Sequence, residues 1–245
     1  MSRLFIPLFS IVLLVSTSLS AQKKDRVEYL PNFDNKQLHF GYYLGLNKKG
    51  FKIKYNDENF VVNNFDDDYI AVEESYGFNI GLVVDYRLHD HINLRFEPGL
   101  SANKKTLTYN PMVVDPSDAQ LSGNVREVSG TYARLPVLLK FSTNRIHNMR
   151  AFVIGGVSYD YNFSSNQKNA DDNFSGQFRM KSSNFSYEIG VGVDVYLYFF
   201  KFSPSIRGVF AINNEIVPDN FNGSPYTGPI DYFGTRGIFL NFTFE

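Results

Sequence analysis

Residues 75–88, SYGFNIGLVVDYRL, place an apolar side chain at every second position. The positions between them are mostly polar or small and include Asp85 and Arg87. Alternation with a period of two residues is typical of a β-strand whose two faces meet different environments. The apolar face comprises Tyr76, Phe78, Ile80, Leu82, Val84, Tyr86 and Leu88. The stretch therefore predicts a strand with one apolar and one polar face.

The same alternation recurs seven more times in the 245-residue chain. The eight segments cover residues 39–47, 75–88, 92–103, 132–141, 151–163, 185–197, 200–210 and 237–244. Repeated short segments with this period indicate an all-β chain.

Short and long connections alternate between the predicted strands. The short ones lie at residues 89–90, 143–148 and 198–199, and the long ones at 48–74, 104–129, 164–183 and 211–232. Long loops at one end and short periplasmic turns at the other are typical of outer-membrane barrels. The sequence therefore predicts an eight-stranded antiparallel up-and-down transmembrane β-barrel. We expect its four long loops to be extracellular and both chain ends to be periplasmic.

A soluble eight-stranded barrel, such as a lipocalin, is the alternative fold. Its apolar face would point inward and its polar face outward. The longer apolar faces here run for six or seven side chains without a charge, which suits transmembrane strands of about 10 residues. Aromatic residues at the ends of these faces fit interfacial girdles, namely Tyr42, Tyr76, Tyr86, Tyr159, Tyr161 and Phe163. Both features favour the transmembrane barrel.

The overall composition excludes several classes of function. With 24 Lys and Arg against 25 Asp and Glu, the chain lacks the basic surplus of a nucleic-acid binder. Because the chain has no cysteine, disulfides, thiolate metal sites and thiol catalysis are excluded. Gly190 and Gly192 resemble part of a dinucleotide-binding loop but lie inside a predicted strand. We therefore expect no cofactor and no small-molecule substrate.

The first residues, MSRLFIPLFSIVLLVSTSLSA, have the pattern of an export signal. Arg3 precedes an apolar run over 4–15, and small residues follow, so cleavage after Ser20 or Ala21 is expected. A short buried helix is the alternative. We predict a signal peptide over 1–21, a periplasmic segment over 22–37 and a barrel over 38–245 in the outer membrane of a Gram-negative bacterium.

If the apolar faces meet lipid, the other faces point into the barrel and carry charges of both signs. The predicted inward charges are Asp85, Glu97, Asp160, Glu188, Asp194, Arg87, Arg95, Arg134, Lys140, Lys201 and Arg207. Eight strands enclose only enough space for side chains, and buried charges persist when they are paired. We expect an ion-paired plug, with a narrow permeation path as the alternative.

Hydrolysis of lipid or protein at the outer rim would need a general base there, usually a histidine. The four histidines are His39, His89, His91 and His147. All of them fall at or beside the predicted periplasmic end, which argues against a barrel hydrolase.

The first long loop is the candidate contact surface for a partner. It begins with the basic residues Lys48 and Lys49 and contains the acidic run Asp66, Asp67 and Asp68. This run has the oxygen ligands that Ca²⁺ prefers but lacks the spacing of a calcium loop. A solvated acidic loop tip is the preferred interpretation.

Five stretches of the chain resemble the PorT family, barrels associated with type IX secretion and gliding motility. They are LHFGYYLGLN (38–47), NLRFEPGLS (93–101), YARLPVLLKFS (132–142), FKFSPSIRGVFAINNE (200–215) and TRGIFLNFTFE (235–245), and REV at 126–128 adds to them. The resemblance implies a non-enzymatic accessory protein needed for type IX cargo to leave the cell, and it supplies no catalytic residues.

An eight-stranded barrel leaves no passage for a folded protein, so such an accessory must act by contact. We expect contacts with outer-membrane lipid and lipopolysaccharide and with proteins of the secretion machinery. A surface adhesion or membrane-stability barrel without a secretion role is the alternative function.

Overall fold

A computed structural model describes residues 27–56, 69–112, 114–115, 117, 123–221 and 223–245. Its strands are β1 (Leu38–Tyr55), β2 (Ile70–Glu73), β3 (Ser75–His89), β4 (Ile92–Phe96), β5 (Gly99–Tyr109), β6 (Val125–Ser142), β7 (Met149–Asn162), β8 (Ser183–Tyr196), β9 (Lys201–Ala211) and β10 (Ile230–Phe244). Two short 3-10 helices cover Phe33–Asn35 and Asn173–Ser175. The predicted signal peptide, residues 1–21, lies outside the described residues.

The strands close into a ring of eight antiparallel members, so the predicted fold class is confirmed. Strand β1 pairs with both β3 and β10, which closes the barrel. Strands β4 and β5 form one member, interrupted at Glu97 and Pro98, and both pair with β3 and β6. Proline has no backbone N–H and cannot complete the ladder there. The short strand β2 pairs with β5 beyond the ring.

The outer surface of the barrel carries an apolar band. Outward side chains remain largely exposed, including Leu44, Leu82, Val137, Val153, Ile189 and Ile206. The first outward charges towards the long loops are Lys48 on β1, Lys104 on β5 and Arg236 on β10, and they mark the border of the band. The apolar face therefore points away from the barrel interior, which is the arrangement of a lipid-facing surface. None of the helices in the described part of the chain is long and apolar enough to cross a membrane.

The boundaries of two predicted loops are wrong. Strand β1 continues through Lys48 and Lys49 to Tyr55 and stays paired with β10. Strands β5 and β6 also pair beyond the predicted boundary, with a register that ends at Thr108 opposite Val125. Beyond the apolar band the outward residues become polar, so the alternation of apolar and polar residues ends there. The backbone hydrogen bonds between the strands continue further, and the sequence pattern therefore placed the loop boundaries too early.

Candidate functional site

The barrel interior holds a ladder of charged side chains whose signs alternate. In order of contact they are Lys201, Glu245, Arg95, Glu97, Arg207, Glu188, Arg134 and Asp160. Period-two alternation places them inside because each stands on the polar face of its strand or continues that face. Each charge therefore has a neighbour of opposite sign, the condition under which buried charges are tolerated.

The lower half of the ladder, towards the short turns, centres on Glu245. Its carboxylate lies 2.7 Å from Lys201 Nζ and 2.9 Å from Arg95 Nη2. The Nε atom of Arg95 also lies 3.1 Å from Glu97 and 3.5 Å from Asp85. All five side chains are almost completely buried, so water screens these contacts little.

The upper half links four strands, β6 to β9, and the break between β4 and β5 by their acidic and basic groups. Arg207 donates two hydrogen bonds to Glu97, at 2.5 and 2.9 Å. Glu188 contacts both Arg134, at 2.5 Å, and Arg207, at 3.8 Å. Arg134 also lies 3.0 Å from Asp160. The Arg–carboxylate contacts fix the side chains in position as well as balancing their charge.

A separate pair stands beside the lower half of the ladder. Lys140 Nζ lies 2.7 Å from Asp194 Oδ2 and 4.2 Å from the centre of the Phe152 ring. Ser203 donates a further hydrogen bond to Asp194 at 2.6 Å. The pair is buried and connects β6 with β8 across the neighbouring strand.

Two predicted site residues lie elsewhere. Arg87 was expected in the lumen, but it lies at the short-turn end, partly exposed, where it pairs with Asp90 and donates to the backbone oxygen of Asp34. Lys49 was expected in the first loop, but it is buried inside β1 and donates to Ser101 at 2.9 Å. Continued strand pairing turns Lys49 inward, so it is not available for contact with a partner.

Sequence reasoning missed Glu245 as an interior residue. The inward positions of β10 include Phe239, Asn241 and Thr243, which are all buried, and position 245 continues that parity. The alternation of inward and outward positions along β10 was therefore the signal that could have predicted an inward Glu245. With Glu245 included, the interior charges balance. The four acids of the ladder together with Asp85 and Asp194 equal in number the four bases of the ladder together with Lys140 and Lys49.

Little empty space remains inside the barrel. Two cavities between described interior residues have volumes of about 20 and 10 Å³, which is about the room that one water molecule needs. Aromatic side chains fill the space between the charges, and glycines make room for them. A Cβ atom on Gly99 would collide with the Tyr43 hydroxyl. The interior is therefore packed with side chains.

The segment before β1 covers the short-turn end of the lumen. The Phe33 ring stacks on His39 at 4.3 Å and lies 4.7 Å from Lys201 Nζ. The Asp34 carboxylate accepts from the Tyr196 hydroxyl at 2.8 Å. These contacts place the chain across the mouth of the barrel, which no pattern in the sequence predicted.

A second hydrophobic core lies beyond the apolar band, under the long loops. We call this region the long-loop cap. Its buried members are Phe51, Tyr69, Ile70, Leu107, Tyr109, Val114, Val128, Phe178, Met180, Ile216, Tyr226, Ile230 and Phe233. They come from strand extensions and from long connections. The described parts of the loops are therefore packed together like a small soluble domain.

Polar contacts tie the connections of the cap to each other. Arg126 donates to the backbone oxygen of Asn173 at 2.8 Å and lies 4.7 Å from the Tyr226 ring centre. Asp219 accepts hydrogen bonds from the Asn173 amide at 2.9 Å and from Ser224 at 2.5 Å. The third and fourth long connections are thereby held to the start of β6.

Glu215 lies buried at the junction of the cap and the barrel. The Thr235 hydroxyl donates to its carboxylate at 2.6 Å, and Lys105 Nζ donates to Thr235 at 3.4 Å. Burial raises the pKa of the Glu215 carboxyl, although Lys105 and the Thr235 hydrogen bond oppose that rise. This carboxyl is therefore costly to keep ionised.

The histidines lie at the short-turn end of the barrel. His39 contacts the Phe33 backbone oxygen at 2.9 Å, and His91 contacts the Ser142 backbone oxygen at 3.1 Å. His89 ends β3, and His147 lies in the turn before β7. No group of three or more potential His, Asp or Glu metal ligands occurs within the described ranges.

The remaining residues of the predicted partner loop are only partly described. Lys48 points outward and lies 3.2 Å from Glu74. Asp66, Asp67 and Asp68 lie outside the described residues. The structure thus separates Lys48 on the outer surface from Lys49 in the interior.

The chain is similar to several solved structures of outer-membrane proteins. OprG from Pseudomonas aeruginosa is 11% identical, with a TM-score of 0.46 over 85% of this chain and 95% of that chain. Neisserial surface protein A is 7% identical, with a TM-score of 0.44 over 85% and 98%. The outer membrane protease OmpT from Escherichia coli is 10% identical, with a TM-score of 0.44 over 90% and 97%.

No curated protein sequence matches the chain. Residues 20–217 match the family model described as an outer membrane protein beta-barrel domain. That match covers most of the sequence and includes strands β1 to β9 in full. The chain therefore belongs to this family of β-barrels of the Gram-negative outer membrane.

Proposed function

We propose that this barrel is a non-enzymatic accessory protein of type IX secretion that acts by contact. The observation that carries the proposal is the filled lumen, where buried charged and aromatic side chains pack together and two interior cavities in the described part of the chain measure about 20 and 10 Å³. A folded cargo protein cannot cross such an interior. A part in secretion must therefore come from the surfaces of the barrel.

The proposed role in secretion rests on the resemblance to the PorT family. Arg126, Glu127 and Val128 form one of the stretches that carry this resemblance. Two of these residues are structural in the cap, since Val128 is in its core and Arg126 joins it to Asn173. An ordered cap can present a fixed surface to a partner without losing conformational entropy on binding. The long-loop cap is therefore the proposed contact surface.

We propose that the cap faces the cell exterior and that the short turns face the periplasm. Short turns are periplasmic in outer-membrane barrels, and export by the predicted signal peptide would deliver the chain to the periplasm, with residues 1–21 removed. The segment over 22–37 would then lie in the periplasm, where its described part covers the mouth of the barrel.

Deletion of the gene tests the role in secretion. Type IX cargo is expected to remain unprocessed in the cell envelope of the deletion strain, and the wild-type gene should restore its release. A deletion strain that secretes and glides normally would refute the proposal and favour the adhesion or membrane-stability barrel.

Complementation with Arg126→Met tests the cap as the contact surface. Loss of the contacts to Asn173 and Tyr226 should loosen the cap and reduce cargo release while the barrel still inserts. Lys104→Met is the matched control, because Lys104 is exposed and pairs only with exposed Glu127 among the described side chains. Equal cargo release by both variants would contradict the proposal that the long-loop cap is the contact surface.

A further inference from the structure

A basic groove lies on the outer surface of the barrel, where β1, β8, β9 and β10 pass the border of the apolar band. Its volume is about 190 Å³. The cationic lining residues are Lys52, Lys54 and Arg236, and the larger apolar and aromatic ones are Tyr187, Phe210, Ile212 and Tyr232. This groove is separate from the lumen and from the core of the cap.

Strand register brings the three cations together. Arg236 stands opposite Gly50 on β1 and opposite Phe210 on β9, while Lys52 stands opposite Gly234 on β10. Lys52 and Lys54 point to the same face, about 7 Å apart along the strand. Gly50 and Gly234 carry no side chain, and the space above them is taken by neighbouring residues. The Glu74 side chain lies over Gly50 at the lower edge of the groove, and the Tyr232 ring lies over Gly234.

The three cations of the groove lack an ion-pair partner among the described residues, unlike Lys48, the nearest basic residue on the side of the apolar band. Lys48 lies 3.2 Å from Glu74, whereas Lys52, Lys54 and Arg236 form no ion pair with any described carboxylate. All three are exposed. Within the described ranges the groove therefore presents three exposed cations without an ion-pair partner, while the Glu74 carboxylate at its lower edge is paired with Lys48.

An aromatic wall closes one side of the groove at the same height. The rings of Tyr187 and Phe210 stack with centroids 5.1 Å apart. The Tyr232 hydroxyl donates to the Ala211 backbone oxygen at 2.7 Å, which fixes its ring beside them. Tyrosine rings at this level are typical of the interface between lipid headgroups and acyl chains.

Directly below the groove, the outward residues become apolar again. Ile238 follows Arg236 on the same face of β10, and Ile206 and Ile189 lie on the neighbouring strands, all largely exposed. A molecule held by the cations would therefore continue into the lipid-facing band. That combination suits a ligand with an anionic head and an apolar tail.

We infer that the groove binds a phosphate group of a phosphorylated glycolipid of the lipid A class. Lysine and arginine side chains bind phosphate through charge-assisted hydrogen bonds, and the apolar band below accommodates the acyl chains. The assignment of this lipid rests on the proposed orientation, which sets the groove in the outer leaflet, and it is independent of the secretion role.

Binding of purified lipid A to the full-length mature protein in detergent tests the inference. The probes are diphosphorylated lipid A, dephosphorylated lipid A and inorganic phosphate, measured by native mass spectrometry. The combined variant Lys52→Gln, Lys54→Gln and Arg236→Gln should bind diphosphorylated lipid A at least about tenfold more weakly, a loss near 1.4 kcal/mol. Dephosphorylated lipid A should bind both proteins weakly, and millimolar inorganic phosphate should not displace the lipid.

A control variant with the same loss of charge combines Lys104→Gln, Lys168→Gln and Lys181→Gln, which lie outside the groove. It should retain the wild-type affinity. Equal weakening by both triple variants, tight binding of dephosphorylated lipid A, or displacement by phosphate would each overturn the inference. Heat-modifiable gel mobility checks folding. The single variant Arg236→Gln is a milder test, for which we expect a smaller loss of affinity for diphosphorylated lipid A. An unchanged affinity of this variant would count against the site.

Discussion

Glu97 and Arg207 form a two-point ion pair across the barrel interior. Arg207 Nη1 and Nη2 donate to the two carboxylate oxygens of Glu97 at 2.5 and 2.9 Å, although the residues are 110 positions apart. Arg207 lies on β9 and Glu97 at the break between β4 and β5, four members away in a ring of eight. The pair therefore joins opposite walls of the barrel and occupies the path that an ion would have to take.

Glu97→Leu should destabilise the barrel by about 3–5 kcal/mol, because Arg207 loses its two-point partner while it remains buried. The double variant Glu97→Leu with Arg207→Met should lose markedly less, since no uncompensated charge remains at that position. Urea titration of the protein folded in lipid vesicles, followed by gel mobility, measures both free energies of unfolding.

The matched comparison is between the single and the double variant. If Glu97→Leu and the double variant unfold at the same urea concentration, the ion pair contributes no specific coupling. Packing of the interior side chains alone would then account for the stability of this part of the barrel.

The strands and most interior charges were predictable because a barrel wall separates two environments, and period-two alternation records that difference. The same parity extends to Glu245, so that residue was predictable in principle. Asp34 was not, since its position depends on a segment outside the strands. The cap was not predicted either. Its core residues, such as Phe51 and Tyr226, meet through long-range contacts that leave no regular spacing in the sequence.

The purified protein should show no stable conductance in planar lipid bilayers. The buried charge ladder and the aromatic side chains fill the described part of the lumen, and paired charges do not attract one sign of ion. A variant that combines Arg134→Ser, Glu188→Ser and Arg207→Ser removes the centre of the ladder and serves as the positive control. Steady current steps from the wild-type protein would refute the closed lumen.

Gly99→Ala should destabilise the barrel by about 1–3 kcal/mol, the usual cost of overpacking. The added methyl group would lie 2.5 Å from the Ile80 backbone oxygen and would collide with the Tyr43 hydroxyl. Gly155→Ala is the control, because its nearest neighbour is the Glu188 backbone oxygen at 3.5 Å, an ordinary contact distance. Urea titration should separate the two variants, and equal stability would show that the wall at Gly99 can shift freely.

Glu215→Gln should stabilise the long-loop cap at neutral pH. Burial raises the pKa of this carboxyl in the folded protein despite the attraction of Lys105, so folding favours its protonated form. That stabilising contribution is complete below the ordinary carboxyl pKa and is lost as pH rises through the raised folded value. Glutamine keeps an acceptor for the Thr235 hydroxyl without a charge, so the variant should not lose this contribution.

Hydrogen exchange at the Lys181 amide measures the effect, because this amide donates to the Glu215 backbone oxygen at 2.8 Å. At pH 7 the exchange should be slower in Glu215→Gln than in the wild type, and the two should converge near pH 4, where the wild-type carboxyl is protonated. Comparing both proteins at each pH cancels the intrinsic pH dependence of exchange. Glu127→Gln, at an exposed position, should change neither rate. Faster exchange in Glu215→Gln at pH 7 would mean that the ionised carboxylate holds the cap to the barrel. Its hydrogen bond from Thr235 and its attraction to the charge of Lys105 would then outweigh the cost of burying its charge.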